Sequence, residues 1–119
     1  MTYDPLTEVD EEQLIIDTDV LQSLCTFRAE DKFVLLPGVN VEAEKARLSI
    51  VINRLTDDLI EGVEQNPSKL WVLSRFQLYL KDVQQEDTET REHFGSELEG
   101  IMDILGIESS DGLLGYYLA

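Results

Sequence analysis

Glu89, His93 and Glu97 stand four residues apart on a stretch that reads as helix, so their side chains share one face. An imidazole flanked by carboxylates is a donor set that suits zinc or iron. The pattern is thin, because His93 is the sole histidine. Neither a His-Glu-x-x-His helix nor the Glu-x-x-His pairs of di-iron bundles can be built from it. A solvated face beside an apolar stripe accounts for the same residues, since side chains at this spacing are neighbours on any helix. Asp87-x-Glu89 opens like a calcium loop, but Glu92 stands where that loop needs glycine and Leu98 where it needs a carboxylate. Cys25 and His93 are the one thiol and imidazole available as a nucleophile and base. Cys25 follows Leu24 beside an apolar face, where a buried, inert thiol is expected. No phosphate-cradling glycine loop, nucleophile elbow or dinucleotide fingerprint occurs. These residues assign no catalytic group, no metal ligand set and no cofactor, and a non-enzymatic protein is expected.

What the chain concentrates is negative charge. Its 119 residues hold 25 Asp and Glu against 9 Lys and Arg, a formal net of −16. That balance excludes ordinary nucleic-acid binding, which needs cations to neutralise phosphates, and disfavours anionic membrane surfaces. Ten acids fall between Asp82 and Asp111 against Arg91 alone. Unpaired carboxylates cost several kcal/mol each when buried, so they must lie outside. Asp87, Glu89, Glu92, Glu97, Glu99, Asp103, Glu108 and Asp111 are therefore the candidate partner-binding face. Other acids gather before Phe27 and at Asp57, Asp58, Glu61 and Glu64.

Solubility alone explains a charge of about 2 to 8 on a small domain. The excess here brings self-repulsion, and the simplest benefit to set against it is a basic protein partner, whose association a concentrated field accelerates. A cationic nuclease-like toxin neutralised by an immunity protein is the most concrete version. A metal-dependent enzyme or sensor and a general adaptor are the alternatives. Tyr116 and Tyr117 suit an aromatic interface, each joining an apolar ring to a hydroxyl, although closing the base of a bundle would use them equally well. Trp71 reads as core.

The elements that must position these groups are helices. From about Val41 to Gln65, Leu48, Ile52, Leu55, Leu59 and Val63 recur at spacings of 4, 3, 4 and 4, a helical stripe widened by Ile50, Val51 and Ile60. Asn40 stands where it can cap this helix. Asn66-Pro67 breaks the chain and can start a second long helix to Gln85, with Val72 or Leu73, Phe76, Leu80 and Val83 inside. A third, capped by Asp87 or Thr88, reaches Leu105 on Phe94, Leu98, Ile101 and Leu105. Gly106 follows where a left-handed cap is preferred. Ser109-Ser110-Asp111 can cap a short last helix through Tyr117. Asp17–Phe27 reads as a helix with Val20, Leu21, Leu24 and Phe27 inside, and Phe33–Leu36, stopped by Pro37-Gly38, as extended coil. Gly62, Gly95 and Gly100 inside helices point to tight crossings. The expected fold is all-α: one domain over residues 1–119, a compact bundle of four or five helices with a less regular N-terminal segment over 1–16.

The run Ile101-Met102-Asp103-Ile104-Leu105-Gly106-Ile107-Glu108-Ser109-Ser110-Asp111-Gly112-Leu113-Leu114 resembles the end of a bacterial family, the domain of unknown function 4844. Leu59-Ile60-Glu61-Gly62-Val63-Glu64-Gln65-Asn66-Pro67 and Asp87-Thr88-Glu89 resemble it in order and spacing, so the likeness spans Asp57–Leu114. It implies a small helical protein and transfers no catalytic residue. One cysteine permits no internal disulfide, no apolar run approaches the roughly 20 residues that span a bilayer, and the acidic start is the reverse of a signal peptide. A cytosolic location is expected.

Overall fold

Four of the helices begin or end on residues that satisfy their orphan backbone groups. A computed structural model describes residues 2–36 and 41–119, with the backbone alone at Val41. The Asp17 carboxylate accepts the Val20 N–H at 2.9 Å and starts α1, Thr18–Ala29. The longest helix, α2, covers Val41–Gly62; its expected Asn40 cap and the Pro37-Gly38 stop lie outside the described residues. Ser68 caps α3, Lys69–Val83, by accepting the Trp71 N–H. Asp87 caps α4, Thr88–Leu105, through the Thr90 N–H at 2.8 Å. Gly106, at φ +76°, closes α4 with Ile107 N–H donating to the Met102 carbonyl. The short α5 is Leu113–Leu118.

Packing follows the stripes. Leu48, Ile52, Leu55, Leu59 and Val63 are fully buried, as are Val72, Leu73, Phe76 and Leu80 of α3 and Phe94, Leu98 and Ile101 of α4. Each such side chain contributes about 1.5–3 kcal/mol on leaving water. α2 touches α1, α3 and α4, whereas α4 touches all four of the other α-helices and is the central one, and α5 fills the angle between α3 and α4. Two of the four helical glycines lie at close crossings. Gly62 admits the Trp71 indole, whose carbons stand 2.7 Å from where a Cβ would sit, and Gly95 admits Leu118 at 3.2 Å.

Several expectations are corrected. α2 ends at Gly62 rather than Gln65, and Ile50 is exposed, because contacts with α1, α3 and α4 do not reach round the whole helix. α3 starts two residues later than Pro67. Asn66 does not cap it; its side-chain amide donates to the Gly62 carbonyl and finishes α2, while Ser68 stays extended to pair with Gln13. Gly112, at φ +92°, precedes α5 in place of the Ser109–Asp111 run, although Ser110 Oγ accepts the Leu114 N–H. Phe33–Leu36 is a turn, not extended coil: Phe33 is left-handed at φ +58°, held there by burial of its ring against Phe94, and Leu36 N–H returns to the Phe33 carbonyl. Cys25 is exposed, since only Leu24 of α1 is fully inside and the next residue turns about 100° away.

The N-terminal segment is irregular but anchored. After a 3-10 turn at Pro5–Glu8 it runs past the start of α3, bonding Leu14 N–H to the Pro67 carbonyl at 2.7 Å and accepting Lys69 N–H at the Glu12 carbonyl at 2.9 Å. Among the described residues no helix is long and apolar enough to cross a membrane.

Candidate functional site

The outer face of α4 follows from its own periodicity. Phe94, Leu98, Ile101 and Leu105 turn inward, so Glu89, Glu92, Glu99 and Asp103 fall on the opposite side within an arc of about 80°. All four are exposed, and so is Glu108 just beyond the helix. Among the described residues none of the five makes an ion pair. Glu99, Asp103 and Glu108 line one cleft with Ser109, Ser110 and the apolar side chains of Met102 and Leu114. Carboxylates beside apolar side chains match a lysine or arginine side chain, which carries a hydrocarbon stem behind its charge.

The other three candidate acids serve the fold. Asp87 is the α4 cap, and the Thr90 backbone N–H and hydroxyl hold its carboxyl below the usual range. Asp111 pairs with Lys69 at 2.7 Å and accepts the Asp10 N–H at 2.9 Å; both keep its pKa low, Lys69 most strongly. Glu97 is half-buried on the flank of α4. Burial raises its pKa against the favourable pull of Lys32, and its Oε2 has no hydrogen-bond partner. The eight-residue surface inferred from spacing therefore resolves into five free carboxylates and three engaged ones.

Spacing did not reveal two buried cations. Lys69 is 3% exposed and carries Asp111 and, at 3.3 Å, Glu12. Burial opposes its charge, but the two carboxylates outweigh that and raise its pKa. Lys32, 5% exposed, donates to the carbonyls of Arg28 and Glu30 at the end of α1 and lies over the Phe27 ring, 4.7 Å from its centre. Lysines are mostly surface residues, so no local pattern flags a buried one. The one available hint was Lys69 directly following a helix-start signal and preceding the apolar run Leu70–Leu73.

The remaining sequence candidates separate. No three or more His, Cys, Asp or Glu side chains among the described residues converge to hold a metal ion, so Glu89, His93 and Glu97 do not form a ligand set. Tyr117 is 6% exposed and its hydroxyl accepts from the Gln77 amide at 3.1 Å, which makes it a closing residue of the bundle. Tyr116 is 48% exposed, edge-on to Tyr117 and 5.6 Å from the Tyr3 ring, leaving an aromatic pair at the surface. Trp71 is half-buried on Gly62 with the Arg75 guanidinium 5.6 Å from its ring centre.

No curated protein and no solved structure matches this chain. The model of one family, described as Domain of unknown function (DUF4844), matches residues 15–119, well beyond the Asp57–Leu114 span on which the likeness was first legible. With nearly the whole helical domain covered by that match, the chain belongs to the DUF4844 family.

Proposed function

We propose that the chain is a non-enzymatic, cytosolic protein-binding module that recognises a basic partner through the outer face of α4, in its sharpest form an immunity protein for a cationic nuclease. One observation carries the reading: Glu89, Glu92, Glu99, Asp103 and Glu108 are exposed on one face, and none is paired with a cation among the described residues. Acids retained for structure would be expected to sit in caps and ion pairs, as Asp87 and Asp111 do. Nuclease surfaces present lysine and arginine to phosphate oxygens, and a row of carboxylates offers those groups an alternative set of acceptors. The cleft of Glu99, Asp103 and Glu108 gives one such side chain a seat.

The test is co-expression with a basic nuclease encoded beside this chain, followed by binding measurements across salt. Tight binding that weakens at least tenfold from low to moderate salt is expected, with a larger loss when Glu92, Glu99, Asp103 and Glu108 become their amides. Binding indifferent to those four substitutions removes the basis for the proposal.

A further inference from the structure

We propose that the surface at the start of α3 is a docking groove for an extended acidic segment of the form Glu-Glu-x-Leu, and that residues 11–14 of the chain's own N-terminal strap are its displaceable resident. The strap is bound as a peptide ligand would be. Glu11 Oε1 accepts the Leu70 N–H at 3.0 Å and its other oxygen accepts from Ser68 Oγ, so one carboxylate engages both the cap and the first turn of a 15-residue helix. An anion is favoured there because the amides converge on it. Glu12 reaches the buried Lys69 with its side chain at 3.3 Å and the Lys69 N–H with its carbonyl at 2.9 Å. Gln13 bridges to Ser68 in antiparallel fashion, and Leu14 donates its N–H to Pro67 and buries its side chain. Main-chain pairing supplies affinity and alternate side chains supply selectivity, the logic of strand addition.

Three further observations make this resident separable from the body. Lys69 keeps Asp111 at 2.7 Å when Glu12 leaves, so opening the groove strands no unpaired buried charge. Upstream of the resident the strap is not closed over: Asp4 lines two clefts, one with Leu6, Leu70 and Trp71, the other with Gln77, Lys81 and Tyr116. Residues 2–14 carry five acids and no cation on a chain that is already strongly acidic, so long-range repulsion works against the local attraction at Lys69. The family match begins at residue 15, after the resident segment, and includes every groove residue from Pro67 to Leu70. This inference is independent of the α4 face.

The experiment uses the full chain and a fluorescein-labelled peptide copying residues 8–16. The Glu11→Ala/Glu12→Ala chain, its helicity checked by circular dichroism, is expected to bind that peptide at least about tenfold more tightly than wild type, because a tethered competitor acts at an effective concentration in the millimolar range. A peptide with glutamine in place of both glutamates should not bind, nor should the original peptide bind when Lys69→Met is added. In wild type, the Leu14 and Lys69 amides should exchange hydrogen faster than those of Phe76 and Leu98. Failure of the folded double variant to take the peptide overturns the proposal, as does binding indifferent to the peptide's glutamates or equal binding by wild type. Unfolding of the double variant, or exchange of Leu14 only at the global rate, would show that the strap is part of the cooperative core and overturn it equally.

Discussion

Lys69 is where the single-residue energetics of this protein concentrate. Asp111 is its closest carboxylate, and Asp111→Ala leaves a 3%-exposed ammonium with the more distant Glu12. Removing the closer partner leaves the ammonium more poorly compensated, so lower stability in urea unfolding is expected. The same groups set the acid limb of stability. Ser68 and the Leu70 N–H lower the Glu11 pKa, Lys69 and the Asp10 N–H lower that of Asp111, and Thr90 lowers that of Asp87. A depressed folded pKa means that the unfolded chain binds protons first. Their stabilisation is thus full above the ordinary carboxylate range and is lost as pH falls through it. Glu97 acts in the opposite sense: burial raises its pKa, so its ionisation costs stability that returns on mild acidification. Urea unfolding from pH 7 downward should therefore show stability rising first and then falling. Glu97→Gln should flatten the rise and leave the fall.

At the scale of elements, the helical glycines make opposed predictions. Gly62→Ala places a methyl 2.7 Å from the Trp71 indole, a rigid ring with Arg75 on its flank. Overpacking of that kind costs about 1–3 kcal/mol and outweighs the gain in helix propensity, so the thermal midpoint should drop. Gly100→Ala meets only Phe27, at an ordinary 3.6 Å, and should stabilise by up to about 1 kcal/mol because alanine is the better helix former. A Gly62→Ala chain as stable as wild type would mean that the α2–α3 crossing can yield. Legibility differed among elements for a related reason. The stripes of α2, α3 and α4 were read residue by residue because each helix buries one continuous face. The start of α3 was misplaced by two residues because a strap from the distant N-terminus holds Ser68 extended.

Across the whole molecule the decisive quantity is a net charge of −16 on 119 residues. Among the described residues the ion pairs are few and mostly at the surface, as with Arg28–Asp57 and Arg47–Glu86, and such pairs contribute about 0–1 kcal/mol each. Uncompensated repulsion is screened by salt over roughly 10 Å at 0.1 M. The melting midpoint should rise from low to moderate ionic strength, and the rise should shrink when Glu92, Glu99, Asp103 and Glu108 become amides. A midpoint that ignores salt in both proteins would show the charges too dispersed to matter. The all-helical class, the buried stripes and the exposed arc of α4 were determined by the sequence itself, because a 3.6-residue period records within a few turns which face leaves water. Which acids remain free was decided only by the tertiary structure. Glu11 meets Ser68 across 57 positions and Asp10 meets Asp111 across 101. Partnerships of that range arise from chain closure, and no local pattern of residue types records them.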